Sequence, residues 1–151
     1  MLLYVEDNES DVLFFRRAME QVPEPAPVAV VVNGVEAIDY LSGAGPYEDR
    51  VVHPFPSVML LDLKLPRKSG LEVLEWMMKA KELKKPKVVV FTSSSESSDI
   101  QAAGRLGAFA YVIKPASLAL LRQIAKALAA FSRNPEDADA AILGWHVRPI
   151  V

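Results

Sequence analysis

Three carboxylates, a hydroxyl and an amine stand where apolar runs stop in this 151-residue chain. Glu6 and Asp7 follow Leu2 to Val5, Asp62 follows Val58 to Leu61, Thr92 follows Val88 to Phe91, and Lys114 follows Ala108 to Ile113. If those runs are parallel strands of one sheet, the ligand crevice lies beyond their carboxyl ends, and the five side chains meet along one edge. Carboxylates that close cannot all stay ionised without a cation, and a hard divalent ion with oxygen ligands serves. Mg²⁺ is the natural candidate. It takes one or two carboxylates together with water and phosphate oxygens, which leaves Asp62 an oxygen free to attack a phosphoryl donor. Lys114 and Thr92 then suit the phosphoryl oxygens. Metal and ammonium together balance the charge of an in-line transition state, so positioning and electrostatics supply most of the catalysis.

Each residue also has an ordinary reading. Glu6 and Asp7 could simply favour the positive N-terminus of a following helix. Thr92 with Ser93, Ser94 and Ser95 reads as a polar loop, Lys114-Pro115 as a turn, and Tyr111 as a core aromatic. Asp62 is harder to dismiss. It ends an apolar run just before a turn at Pro66 to Gly70, and a buried charge needs partners.

The elements that must position these groups are legible in the spacing of apolar residues. The runs named above, with Val28 to Val32, are nearly continuous in apolar character, as strands covered on both faces require. Between and after them come segments of helical spacing: Val12, Phe15, Met19; Val35, Ile38, Leu41; Leu71, Leu74, Met78; Ile100, Ala103, Leu106; and Leu121, Ile124, Leu128. Asn8 or Ser10 can cap the first helix, Asn33-Gly34 turns into the second, Gly43 and Gly107 can end the second and fourth, and Ser117 can start the fifth. Pro46, Pro54 and Pro56 make 43–57 an irregular surface loop. Five βα units imply an α/β domain, a doubly wound parallel sheet in three layers, α/β/α. It spans 1–131, with 132–151 left as a C-terminal tail.

Composition narrows the function. Hydrophobic residues are 51% of the chain, but charges break them before any run reaches membrane-spanning length. No basic stretch precedes Met1 to Val5 and acidic residues follow at once, which points away from a secretory signal and towards the cytoplasm. The absence of cysteine removes thiol chemistry and disulfides. Seventeen basic residues against nineteen acidic ones leave a net charge of −2, without the basic excess that nucleic-acid binding needs.

Taken together, these residues resemble the receiver domain of two-component response regulators. Leu3-Tyr4-Val5-Glu6-Asp7-Asn8 is similar to the family's acidic-pair motif, and Leu60-Leu61-Asp62-Leu63-Lys64-Leu65-Pro66 with Ser69-Gly70-Leu71 to its phosphoacceptor motif. Val90-Phe91-Thr92-Ser93 and Tyr111-Val112-Ile113-Lys114-Pro115 are similar to its switch motifs, and the likeness runs from Leu2 to about Phe131. It implies a flavodoxin-like five-stranded sheet in the order 2-1-3-4-5 with five helices. It also implies that Asp62 is the phosphoacceptor, that Asp7, Asp62 and the backbone carbonyl of Lys64 bind Mg²⁺, and that Glu6 helps through water. Thr92, the Ser93 backbone and Lys114 would contact the phosphoryl group, and Tyr111 would change rotamer as Thr92 moves inward. The Lys114–Pro115 bond is expected to be cis. The donor implied is a phosphohistidine of a sensor histidine kinase, and the long loop and short tail resemble regulators paired with bacterial phytochrome kinases.

The chain departs from that family pattern twice. Glu6 stands where Asp is commoner, and Lys64 sits two residues after the acceptor, with a side chain that could face the phosphate. An aspartyl-phosphate hydrolase would carry a second Asp at position 64, and a dinucleotide or P-loop protein its glycine motif; neither is present. The resemblance implies a protein that acts on itself and is not a conventional enzyme. An unphosphorylated scaffold is the other reading, against which the intact acidic site stands. The tail is too short for a DNA-binding output domain, so the signal passes to another protein. Its apolar residues, Ala140 to Leu143, Trp145, Val147, Ile150 and Val151, need cover. A homodimer arm is the expectation, with folding back or fraying as the alternatives.

Overall fold

The computed structural model describes residues 1–136 and the backbone of 147–149. Strands β1 (Leu2–Val5), β2 (Val28–Val31), β3 (Val58–Leu61), β4 (Lys87–Thr92) and β5 (Ala110–Ile113) are each followed by a helix. These are α1 (Glu9–Glu20), α2 (Gly34–Ser42), α3 (Gly70–Lys79), α4 (Ser97–Arg105) and α5 (Leu118–Arg133). The strands pair in parallel in the order β2-β1-β3-β4-β5, as the resemblance implies. A sixth strand, β6 (Val147–Pro149), runs antiparallel along β5, so the sheet is larger than the five strands expected. The physical reason is that β5 would otherwise present an unpaired edge, and β6 supplies its ladder partner.

Alternation along each strand divides the core into two layers. Leu2, Tyr4, Val58, Leu60, Phe91 and Val112 pack under α1 and α5. Leu3, Val5, Met59, Leu61, Val90 and Tyr111 pack under α2, α3 and α4. Register then sets the height of the strand ends: Val5 lies opposite Leu61, so Glu6 and Asp62 leave the sheet side by side.

The helix starts use the residues that the sequence offers. Asn8, not Ser10, caps α1, accepting from the Asp11 N–H at 3.0 Å. Asn33 caps α2, Ser117 caps α5, and Ser69 forms a reciprocal capping box with Glu72 at the start of α3. α2 ends at Gly43 in the left-handed region, where φ is 68°. Loop 43–57 is irregular apart from one short 3₁₀ turn, Gly45–Tyr47. Arg50 anchors it by donating to the carbonyls of Tyr40 (2.7 Å) and Leu41 (3.0 Å) at the end of α2. α5 runs to Arg133, two residues beyond the expected end, and its Ser132 carbonyl accepts from the Ser57 hydroxyl at 2.7 Å. Of the apolar tail residues, all but Val147 lie outside the described residues.

Gly70 controls the loop that carries Asp62. Its N–H donates to the Leu63 carbonyl at 3.0 Å, and a Cβ there would collide with the backbone of Asp62 and Leu63. Gly70→Ala is therefore expected to cost roughly 1–3 kcal/mol, the usual scale of overpacking. An unchanged urea midpoint would show that this loop has slack.

Candidate functional site

An open polar cleft of about 520 Å³ lies at the carboxyl ends of β1 and β3, lined by Glu6, Asp7, Asp11, Asp62, Ser93 and Lys114 among others. Glu6 and Asp62 are buried, while Asp7 is exposed. The Lys114 ammonium joins the acids: it donates to Glu6 Oε2, to Asp11 Oδ2 at 2.8 Å and to Asp62 Oδ2 at 3.0 Å. An ammonium has three N–H donors, so all of them are used. The second oxygens are held by backbone. Glu6 Oε1 accepts from the Asn8 N–H (3.0 Å) and Asp62 Oδ1 from the Lys64 N–H (3.3 Å).

The three principal groups respond differently to this setting. For Glu6, burial dominates and pushes its carboxyl up to about 7, although the Lys114 and Asn8 hydrogen bonds pull the other way. For Asp62, burial is outweighed by the charge and hydrogen bond of Lys114, with help from the Thr92 hydroxyl, and its carboxyl lies below the ordinary Asp range. Lys114 is raised: burial is overcome by its bonds to Asp11 and Glu6 and by the charge of Asp62. Asp62 is thus ionised at neutral pH, as a nucleophile must be.

The donor set fits a hard divalent cation. One carboxylate oxygen from each of Glu6, Asp7 and Asp62 lies within 4.8 Å of the others. Oxygens that close can share an ion at bond lengths on the order of 2.1 Å. Asp7 makes no hydrogen bond or ion pair among the described residues, so its carboxylate is uncommitted.

Thr92 is buried at the end of β4, and Ser93 beside it is exposed and lines the cleft. Tyr111 is buried, and its hydroxyl donates to the Ser94 carbonyl at 2.8 Å. The Ser94 hydroxyl in turn donates to Asp99 Oδ2 at 2.7 Å, tying the β4–α4 loop to α4. Lys64 is exposed, and its link to Asp62 is through the backbone N–H. No peptide bond among the described residues is cis, which corrects the expectation for Lys114–Pro115. The trans form is the lower-energy one for an X–Pro bond by about 0.5–1 kcal/mol, and Lys114 reaches its three acceptors without leaving it.

Asp11 was not apparent among the strand-end residues. It belongs to the first turn of α1, and the signal that could have found it is the Asn8 cap, which makes Asp11 the third helical residue and turns it towards the strand ends. Ser94 was hidden in a run of three serines.

A model of the response regulator receiver domain matches residues 2–126. The chain belongs to that family. As a receiver it is similar over 99% of its length to the probable methanogenesis regulatory protein FilR2 of Methanothrix harundinacea, 30% identical over 152 residues and 87% of that protein. It is 30% identical over 131 residues to response regulator Rcp1 of Synechocystis sp., covering 87% of each chain. The Mn²⁺-bound structure of Rcp1 superposes with a TM-score of 0.74, over 86% of this chain and 91% of that one. The phosphorylated cyanobacterial phytochrome response regulator RcpA gives 0.78 at 34% identity, over 89% of this chain and 94% of that one. A phytochrome response regulator is thus among the relatives of this receiver. No helix among the described residues is long and apolar enough to cross a membrane.

Glu6 makes the metal-free receiver sensitive to pH. Its folded value of about 7 lies above the unfolded 4.5, so between these limits the folded state binds the extra proton and stability falls as pH rises. The slope attributable to one group cannot exceed about 1.4 kcal/mol per pH unit. Asp62, shifted down, and Lys114, shifted up, change charge outside this window. The melting temperature of wild type relative to Glu6→Gln should therefore rise from pH 7.5 to pH 5.5 in EDTA. Parallel profiles for the two proteins would contradict the assignment.

Proposed function

We propose that this receiver accepts a phosphoryl group on Asp62 from a phosphohistidine of a sensor histidine kinase and signals through protein contacts in the cytoplasm. The observation that carries the reading is the Lys114 ammonium, held against Asp62 and Glu6 with the uncommitted carboxylate of Asp7 alongside. An Asp62 oxygen forms the bond to phosphorus as the phosphorus–nitrogen bond of the donor breaks and the electron pair leaves with the imidazole. Mg²⁺, held by Asp7, Asp62 and the Lys64 carbonyl with Glu6 acting through water, would neutralise charge on the phosphoryl oxygens. Lys114, the Thr92 hydroxyl and the Ser93 N–H take the remaining oxygens. The protein turns over nothing but its own phosphoryl group.

Drawing Thr92 towards the phosphoryl group biases a two-state equilibrium that includes Tyr111 and the surface of α4, β5 and α5. The Tyr111–Ser94–Asp99 chain of hydrogen bonds supports this route, because it links β5 to α4 one residue beyond Ser93. For the donor, likeness to the phytochrome response regulator RcpA favours a bacteriophytochrome kinase, with another sensor kinase as the alternative. Within one chain, residues 147–149 fold back along β5, the arrangement set against a dimer arm, so the homodimer assigned to the tail 132–151 is one in which two copies exchange this strand.

Incubation with acetyl phosphate and Mg²⁺ should add one phosphoryl mass to wild type and none to Asp62→Asn; equal labelling of both sinks the phosphoacceptor assignment. Asp7→Asn should weaken Mg²⁺ binding about tenfold or more, since a site with so few charged ligands loses one of them, and an unaltered Mg²⁺ titration would count against its role. Light scattering should give a dimer for the full chain and a monomer for the chain ending at Ser132. Identical masses per particle state for both would refute the dimerising tail.

A further inference from the structure

The loop that leads away from the acceptor, 62–70, is gripped from two sides. At the start of α3, the Gly70 N–H holds the Leu63 carbonyl. The second grip comes from α2. At Gly34, the first residue of that helix, a Cβ would lie 2.2 Å from the Lys68 carbonyl oxygen and 2.6 Å from the Lys68 Cβ. Gly34 is not in the left-handed region, so what the position requires is the absence of a side chain and not a special backbone. Both partners in this contact are stiff. Asn33 accepts from the Glu36 N–H at 2.8 Å and the Glu36 carboxylate from the Val32 N–H at 3.0 Å, which fixes the turn into α2. On the loop, the Lys68 N–H donates to the Pro66 carbonyl at 2.8 Å, and Arg67 between them has a φ of 66°, where a residue with a side chain is uncommon. Such a backbone persists only where its surroundings over-determine it, and the start of α2 pressed against Lys68 is a surrounding of that kind. Pro66 fixes one torsion and the Gly70–Leu63 bond closes the segment, so a displacement at Lys68 is passed on to Lys64.

We propose that Gly34 is a positioning residue for the cation: the room it leaves for Lys68 sets where the loop presents the Lys64 carbonyl to the metal. This role presupposes that Asp7, Asp62 and the Lys64 carbonyl hold Mg²⁺. A methyl group at position 34 has to move the Lys68 oxygen away by roughly 1 Å before an ordinary carbon–oxygen contact is reached. Mg²⁺ demands near-ideal octahedral geometry, whereas Ca²⁺ accepts longer bonds and irregular coordination. A displaced carbonyl therefore penalises Mg²⁺ far more than Ca²⁺.

Calorimetric titration of wild type, Gly34→Ala and Asp7→Asn with MgCl₂ and with CaCl₂, alongside thermal melts in EDTA, tests this. Gly34→Ala should bind Mg²⁺ about tenfold more weakly than wild type, the lower end of the loss seen when a group that orients a metal ligand is changed. Its Ca²⁺ affinity should change by less than about threefold, because that ion tolerates the shifted oxygen. A merely structural role for Gly34 would lower the melting temperature in EDTA and leave the affinities for both ions as in wild type. That result overturns the proposal, as does an equal loss for the two ions. Wild type supplies a second measurement should the variant fail to fold: Mg²⁺ should shift the amide signals of Asn33 to Ala37 together with those of Leu63 to Lys68. A spectrum that changes in the loop while the start of α2 stays as it was also overturns the proposal. Wild type that binds neither ion, or Asp7→Asn that binds Mg²⁺ as well as wild type, would instead remove the metal reading itself, so the two failures are told apart.

Discussion

The structure depends on one ammonium among acids. Register puts Glu6 and Asp62 side by side at the ends of β1 and β3, and both are buried. Two carboxylates some 5 Å apart repel by about 3 kcal/mol at an effective dielectric constant near 20, before any cost of burying them is counted. No apolar packing relieves that. The charge of Lys114 does, and its effect is unequal: Asp62 is held ionised while Glu6 is left close to neutrality's threshold. Asp62 is thus kept as a carboxylate beside a neighbouring acid that resists ionisation.

Strand alternation explains why the parts of the site fall on two sides of the sheet. Glu6 continues the row of Leu2 and Tyr4, and Lys114 the row of Ala110 and Val112, both under α1 and α5. Tyr111 belongs to the opposite layer, under α2, α3 and α4. Communication between the layers therefore has to pass along backbone, and the Lys114 N–H donating to the Thr92 carbonyl at 2.8 Å is such a link. Lys114 and Thr92, whose side chains both bond Asp62, are thus joined through the main chain of β4 and β5 as well.

Most of this was legible because parallel buried strands write themselves as unbroken apolar runs, and a polar residue that ends such a run has few places to go. Asp62 and Lys114 announced themselves in that way. Asp11 did not, since an acid in the first turn of a helix is adequately explained by the helix dipole, and sequence alone cannot distinguish that from a reach across to β5. β6 was equally hidden. Its three residues include a proline and show no period, and only the open edge of β5 gives them a reason to be a strand. The trans bond before Pro115 escaped for a different cause: the expectation came from likeness to relatives, not from any property of the residues on either side.

β6 changes what the far side of the sheet can present. Tyr111 is in register with Arg148, and Val112 with Val147, so the strand that carries the aromatic switch candidate is hydrogen-bonded to β4 on one side and to the tail on the other. A strand paired on both edges cannot shift its backbone without disturbing both ladders. A change at Tyr111 is therefore confined to its side chain and to the loop whose Ser94 carbonyl it holds, or else it is felt directly by residues 147–149. In either case a protein that binds against β5 meets the tail as part of the surface, and what it reads is the sheet together with its added edge.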